Sequence, residues 1–267
     1  MTRIDDTFAA LRARREVGFV AYLTAGDPSL AVTPDLLRAL VAGGADLIEL
    51  GVPFSDPMAD GPVLQRAATR AIAAGTSLAR VLEMVAERRA ELPVPIVLFG
   101  YYNPFFRYGL DAVARDARSA GVDGFLCVDL PPEEAADLSA ALARNQLDLI
   151  RLLAPTTPIA RARKIANAAS GFLYFVSVLG VTGARRELPR ELEELVRRVA
   201  AVTALPIGVG FGVQTPEQAR WIAGFADAVV VGSAIQRLVE EHGAAGAPAR
   251  VEAFVRSLKD GMRAAER

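Results

Sequence analysis

Residues 45–52 read Ala45-Asp46-Leu47-Ile48-Glu49-Leu50-Gly51-Val52. From Leu47 onward the run is apolar at consecutive positions, interrupted only by Glu49. A strand with one solvated face alternates apolar and polar residues, whereas a strand buried on both faces does not. The stretch therefore predicts a parallel strand covered on both sides. Seven further runs share the pattern: GFVAYLT (18–24), PIVLFGY (95–101), VDGFLCVDL (122–130), DLIRLLA (148–154), GFLYFVSV (171–178), PIGVGFG (206–212) and ADAVVVGS (226–233). Between them lie Ala/Leu/Arg-rich stretches with helical periodicity, such as GLDAVARDARSAG (109–121) and TPEQARWIAG (215–224). Several open on Asp, Ser, Thr or Pro and close on Gly, as helix caps do.

Eight strand-then-helix units in 267 residues predict one α/β domain over 1–267, a closed (β/α)8 TIM barrel. A doubly wound open sheet is the alternative, though five or six units are commoner there. An amphipathic N-terminal helix precedes the first strand. The second unit is the longest, with helical segments at 62–74 and 77–91 that predict an extra helical segment after strand 2.

Composition narrows the chemistry. The chain holds 30 basic and 31 acidic residues, for a formal charge of −1, which argues against a nucleic-acid or polybasic membrane surface. It has one His (His242), one Cys (Cys127) and two lysines (Lys164 and Lys259). That excludes a disulfide framework, most His/Cys metal sites and, with His242 outside the cleft, His-based triads. Both lysines fall in helical stretches, which disfavours a Schiff-base aldolase. Cys127 reads as a small buried hydrophobe. No export signal precedes the first strand, and the longest apolar runs are strand length, far short of the ~20 residues that span a bilayer. A soluble, cytoplasmic chain is the expectation.

Barrel chemistry sits at the C-terminal strand ends and in the loops that follow. Glu49 ends strand 2. If it points inward, desolvation raises its pKa and makes it a proton donor or shuttle near neutral pH. The next loop, Gly51 to Pro62, carries Asp56, Asp60 and three prolines that stiffen it. Asp60 is thus a second candidate, although Asp-Gly is also a common turn former. Asp129 precedes Pro131-Pro132 and reads as structural or interfacial. Glycine-bearing loops follow strands 6, 7 and 8: Gly180-Val181-Thr182-Gly183, Gly210-Phe211-Gly212 and Gly232-Ser233. Each alone is an ordinary turn signal. Together, with Gly232-Ser233 opening a helix, they predict a phosphate cradle made of neutral donors. The loop 178–190 reads equally as a lid or as an ordinary solvated loop. Tyr22, Phe99, Leu126 and Tyr174, near other strand ends, are either core or the wall of a flat apolar site.

The stretch LIELGVPFSDPMADGPVLQ (47–65) resembles the signature of the tryptophan synthase alpha subunit family. YLTAGDP (22–28), LGVTGAR (179–185), GVGFG (208–212) and VVGSAI (230–235) match in family order, so the resemblance covers nearly the whole chain. It implies retro-aldol cleavage of indole-3-glycerol phosphate to indole and glyceraldehyde 3-phosphate, a lyase step of tryptophan biosynthesis. It implies Glu49 as proton shuttle, Asp60 as acceptor of the indole N–H, and Tyr174 as a third active-site residue. Thr182 and Gly183 would close over the substrate. Gly183, Gly212, Gly232 and Ser233 would hold the phosphate, with Gly210 in the same cradle. Tyr22, Phe99, Leu126 and Phe211 would line the indole pocket. The resemblance also implies no metal and no cofactor in this chain, and a pyridoxal-phosphate beta subunit as partner in an α2β2 assembly, facing 53–56 and 103–108. Other readings are a different barrel phosphosugar enzyme, a non-catalytic ligand-binding subunit, and a stand-alone indole-releasing lyase.

Overall fold

The computed structural model describes residues 1–176, 190–210 and 212–263. All eight apolar runs form strands: β1 (Gly18–Thr24), β2 (Leu47–Gly51), β3 (Ile96–Gly100), β4 (Gly124–Cys127), β5 (Asp148–Leu153), β6 (Leu173–Val176), β7 (Ile207–Gly210) and β8 (Ala228–Val231). They pair in parallel in chain order, and β8 closes onto β1, giving a (β/α)8 barrel. Both strand faces are covered. On β1, Phe19, Ala21 and Leu23 join the large core between barrel and helices, while Val20 joins a second cluster inside the barrel. This double burial is the physical reason that the runs do not alternate.

The interior cluster comprises Val20, Leu47, Val97, Leu126, Ile150, Phe172, Ala228 and Val230, with Ile4, Phe8 and Leu11 from helix α1 (Arg3–Ala13). Thr2 caps α1 in a reciprocal capping box with Asp5. Its hydroxyl also donates to Asp148 Oδ2 at the start of β5, 2.6 Å away. Phe8 packs on Phe172, with ring centroids 5.7 Å apart. The N-terminal helix thus plugs the N-terminal mouth of the barrel and leaves the opposite mouth for chemistry. At the plugged end Lys259 Nζ donates to Val17 O and to Asp46 Oδ2, far from the strand ends where barrel enzymes work.

Helix α2 (Thr33–Gly43) follows β1, and two helices, α3 (Pro62–Ala73) and α4 (Leu78–Arg88), follow β2, as the long second unit predicted. Helices α6 (Leu110–Ala120), α7 (Ala136–Arg144), α8 (Ile159–Asn167), α9 (Arg190–Ala200) and α10 (Pro216–Ala223) fill the later units. Helix α11 (Ser233–Arg263) is broken at Gly243, whose φ of 60° and ψ of −168° are not helical. His242 sits exposed beside that break.

Two details differ from the sequence reading. Helix α5 (Tyr102–Tyr108) was not expected, because YNPFFRY is only seven residues long. Every strand but β1 is also shorter than its apolar run. The fourth run, taken as strand to residue 130, pairs only as far as Cys127. Leu130 beyond it is buried in the large core between barrel and helices without belonging to the strand.

Candidate active site at the C-terminal mouth of the barrel

Strand register places Glu49 beside Tyr22 on β1 and Val97 on β3. Because aligned residues of a parallel sheet share a face, all three point into the barrel. Glu49 is 0% exposed, and among the described residues neither carboxyl oxygen has a hydrogen-bond partner. Burial alone pushes its pKa up to about 8. A buried carboxylate with no compensating donor is unfavourable, so Glu49 carries a proton at neutral pH in the free chain. Tyr22 and Tyr174 flank it; burial raises both phenols above their ordinary value, and the Glu49 charge adds to the rise.

The loop after β2 brings in the second acid. Phe54 packs on Tyr101, with ring centroids 5.3 Å apart, which draws the loop over β3. The Tyr101 hydroxyl accepts from Ala59 N at 3.0 Å and donates to the Asp60 carboxylate. Asp60 N in turn donates to Pro57 O at 3.1 Å. Burial raises Asp60 to about 6, and the bond from Tyr101 restrains that rise. The Asp60 charge also raises the Tyr22 phenol, so Tyr22 senses both carboxyls. Near pH 7 the mouth therefore holds one neutral acid, Glu49, and one carboxylate, Asp60.

Tyr22 meets Phe99 edge-on, with centroids 5.0 Å apart and planes at 79°. Its hydroxyl lies 3.2 Å from Thr24 Oγ1. Phe99, Val128, Leu152 and Tyr174 are the partly exposed apolar residues on top of the interior cluster. Leu126 is fully buried beneath them and acts as floor, not wall. Val128 and Leu152 were not singled out from sequence, although each lies two residues beyond an interior position, Leu126 and Ile150.

The glycines have distinct reasons. A Cβ on Gly210 would lie 2.3 Å from the Tyr174 hydroxyl oxygen, so Tyr174 by itself demands glycine there. Gly212 has a φ of +62° with open space around it, a turn requirement. Gly232 packs close to Tyr22, where a Cβ would be 3.2 Å from that residue's own Cβ. It precedes α11, whose first ladder bond runs from Gln236 N to Gly232 O at 3.0 Å. The N–H groups of Ser233, Ala234 and Ile235 stand ahead of that ladder at the positive end of the helix dipole, an anion-binding arrangement. The expectations for Thr182, Gly183 and Phe211, and for the loop at 178–190 through residue 189, lie outside the described residues.

A buried network that sequence reading missed braces the mouth. Asp27 accepts Arg70 Nε at 2.8 Å and Arg70 Nη2 at 2.7 Å in a two-pronged pair. It also accepts from Gln236 Nε2, while Gln236 Oε1 accepts Thr24 N at 3.0 Å. This ties the end of β1, helix α3 behind the Asp60 loop and the first turn of α11 together.

Among the described residues, no three His, Cys, Asp or Glu side chains gather to hold a metal. Asp129, read from sequence as structural or interfacial, accepts Tyr102 N at Oδ1, 2.7 Å away, at the start of α5. Cys127 is buried, with its thiol pushed up by desolvation.

The family model for tryptophan synthase alpha chain matches residues 8–263. This chain belongs to that family. The alpha chain of Geobacter sulfurreducens is 50% identical over 262 residues, covering 98% of this chain and 99% of its own. That of Citrifermentans bemidjiense is 51% identical over 262 residues, covering 98% of each. The crystal structure of tryptophan synthase subunit alpha from Legionella pneumophila superposes with a TM-score of 0.91 at 41% identity, covering 98% of this chain and 99% of that one. A structure of Mycobacterium tuberculosis tryptophan synthase matches with a TM-score of 0.90 at 39% identity, covering 98% of each chain. Among the described residues, no helix of this family member is long and apolar enough to cross a membrane.

Proposed function

We propose that the chain cleaves indole-3-glycerol phosphate to indole and glyceraldehyde 3-phosphate, with Glu49 and Asp60 as its acid pair. The observation that carries this reading is Glu49: a fully buried carboxyl without a hydrogen-bond partner among the described residues, pushed up to about 8, at the mouth of the barrel. Glu49 delivers its proton to C3 of the indole ring. The ring then becomes the electron sink, with positive charge developing at N1. Asp60, ionised near neutrality, accepts the N1 hydrogen and stabilises that charge in a site of low dielectric. Glu49, now a carboxylate, takes the proton from the hydroxyl on the adjacent side-chain carbon. That carbon becomes an aldehyde, its bond to C3 breaks, and the electron pair returns to the ring. The proton gained at C3 is balanced by the one lost from the hydroxyl, so no lysine imine is needed.

Tyr22, Phe99, Val128, Leu152 and Tyr174 offer a flat apolar wall for the indole over Leu126. The start of α11, with Gly232 and Ser233, receives the phosphate through neutral N–H donors. A beta subunit carrying pyridoxal phosphate, in an α2β2 assembly, is the partner. Met58 and Phe106, exposed large apolar residues on the β2 loop and on α5, support a partner face on this side of the barrel. Incubation with indole-3-glycerol phosphate tests the reading. Release of free indole supports it, and turnover of a pentose or triose phosphate instead contradicts it.

A further inference from the structure

Helix α11 opens at the barrel mouth, and one buried side chain in its first turn holds it there. Gln236 is 0% exposed. Its backbone N–H makes the first ladder bond of the helix, to Gly232 O at 3.0 Å, so it follows directly on the N–H groups of Ser233, Ala234 and Ile235 that are placed for an anion. Buried this fully, its side chain offers no surface to a ligand.

Both ends of the Gln236 amide are committed. β1 pairs with β8 only as far as Ala21 opposite Val231. Ala25 N donates to Gly51 O on the β2 side, so by strand alternation Thr24 N faces the β8 side, beyond the end of that ladder. Gln236 Oε1 accepts this N–H at 3.0 Å and extends the join between β1 and the start of α11 past the last strand pair. Thr24 is 1% exposed, and a buried N–H left unpaired is costly. At its other end Gln236 Nε2 donates to Asp27 Oδ2, a carboxylate fixed by the Arg70 fork from α3. Glu240, one turn further along α11, also ties that helix to α3, through Arg70 at 2.8 Å and Arg66 at 2.7 Å. Glu240 holds the body of α11, whereas Gln236 holds its first turn.

The three elements joined by Gln236 carry the three parts of the site. β1 carries Tyr22, which lies beside Glu49 in register. α3 begins at Pro62, two residues after Asp60. α11 begins at the cradle, where a Cβ on Gly232 would fall 3.2 Å from the Tyr22 Cβ. The substrate spans these parts, because its phosphate rests on α11 while C3 of its indole meets the Glu49 proton. A misplacement of about 1 Å between two such anchors can cost ~10²-fold in rate.

We propose, resting on the cleavage reading above, that Gln236 is a positioning residue for the reaction: its amide sets the separation between the phosphate-binding start of α11 and the Glu49–Asp60 pair.

The test compares the full-length wild type with Gln236→Met, which keeps the length of the side chain and removes both hydrogen bonds. Two constants are read well below the melting temperature of each protein: kcat for indole release from indole-3-glycerol phosphate, and the inhibition constant of inorganic phosphate, which needs the cradle alone. The variant is expected to lose at least tenfold in kcat, with the phosphate constant within about twofold of the wild type. Glu240→Gln is the control for general loosening and is expected to lower Tm with kcat within about twofold. A Gln236→Met enzyme with unchanged kcat, whatever its Tm, overturns the proposal. A parallel loss of phosphate affinity also overturns it, because the side chain would then build the cradle and not set its distance from the acids. An equal loss of kcat in Glu240→Gln overturns the assignment to Gln236. If Gln236→Met does not fold, Gln236→Asn, whose amide reaches one methylene less far, is judged by the same two constants. A wild type that releases no indole overturns the cleavage reading and the proposal with it, whereas an active wild type with an equally active variant overturns the proposal alone.

Discussion

The hydroxyl of Tyr174 on β6 occupies the space that a side chain at residue 210 on β7 would need: a Cβ built on Gly210 falls 2.3 Å from it. Gly210→Ala should therefore displace Tyr174 from beside Glu49. Overpacking of this kind typically costs ~1–3 kcal/mol. The expected result is at least a tenfold loss in kcat/KM for indole release with a modest fall in Tm. Adding Tyr174→Phe removes the atom in closest conflict and should restore part of the loss. An unimpaired Gly210→Ala enzyme would mean that the Tyr174 position is not needed.

Rate should depend on pH through both acids. Activity requires Asp60 ionised and Glu49 protonated, so kcat/KM should rise as pH passes about 6 and fall as it passes about 8. Asp60→Asn should lose most activity, and the residual rate should lack the acidic limb while retaining the alkaline one. Profiles of both enzymes between pH 5 and 9 check this.

Tyr101 stands behind Asp60. Its hydrogen bond favours the ionised carboxylate, holding the pKa below the value that burial alone would set. Tyr101→Phe should move the acidic limb upward, so that kcat/KM falls more at pH 6 than at pH 8. A uniform fall at all pH values would instead indicate a purely structural role for the hydroxyl.

Burial of Glu49 has a stability consequence whose sign is fixed. Its folded pKa lies above the ordinary carboxylate value, so its contribution is fully present below pH ~4.5 and is lost as pH rises through about 8. Glu49→Gln keeps the shape without the charge. Its Tm advantage over the wild type should grow between pH 5 and 9, as measured by thermal melts across that range. A constant difference would show that Glu49 does not titrate in this window.

The brace between β1, α3 and α11 predicts a larger stability effect. Asp27 is 0% exposed and carries both the Arg70 fork and the Gln236 amide. Asp27→Ala leaves Arg70 with Glu240 as its remaining partner and strands the buried Gln236 amide, which typically costs ~1–3 kcal/mol. A denaturant midpoint shift of that size is expected, and a change under ~1 kcal/mol would show the network to be dispensable.

What sequence reading recovered, and what it missed, follows from the range of each interaction. Eight buried strands leave continuous apolar runs, and an acid inside such a run, Glu49, stands out against its neighbours. The barrel and its principal candidate acid were therefore legible. Tyr101 carries no signal of its own in the sequence, because its role exists only once the β2 loop folds onto it. Asp27 and Gln236 lie 209 positions apart, and nothing local in either marks the bond between them. Gly210 was read as part of a phosphate cradle, whereas Tyr174, on the neighbouring strand, supplies a packing reason for the glycine. Helix α5 was missed because seven residues carry too little periodicity to read.

The central claim is that Glu49 is the proton shuttle, and it is tested most directly by following indole release from indole-3-glycerol phosphate by purified Glu49→Gln under single-turnover conditions, alongside its thermal melt. General acid–base groups typically contribute 10²–10⁴-fold. The account predicts a loss of about 10³-fold or more with a cooperative melt no lower than that of the wild type. Near-normal indole release by the folded variant would contradict it.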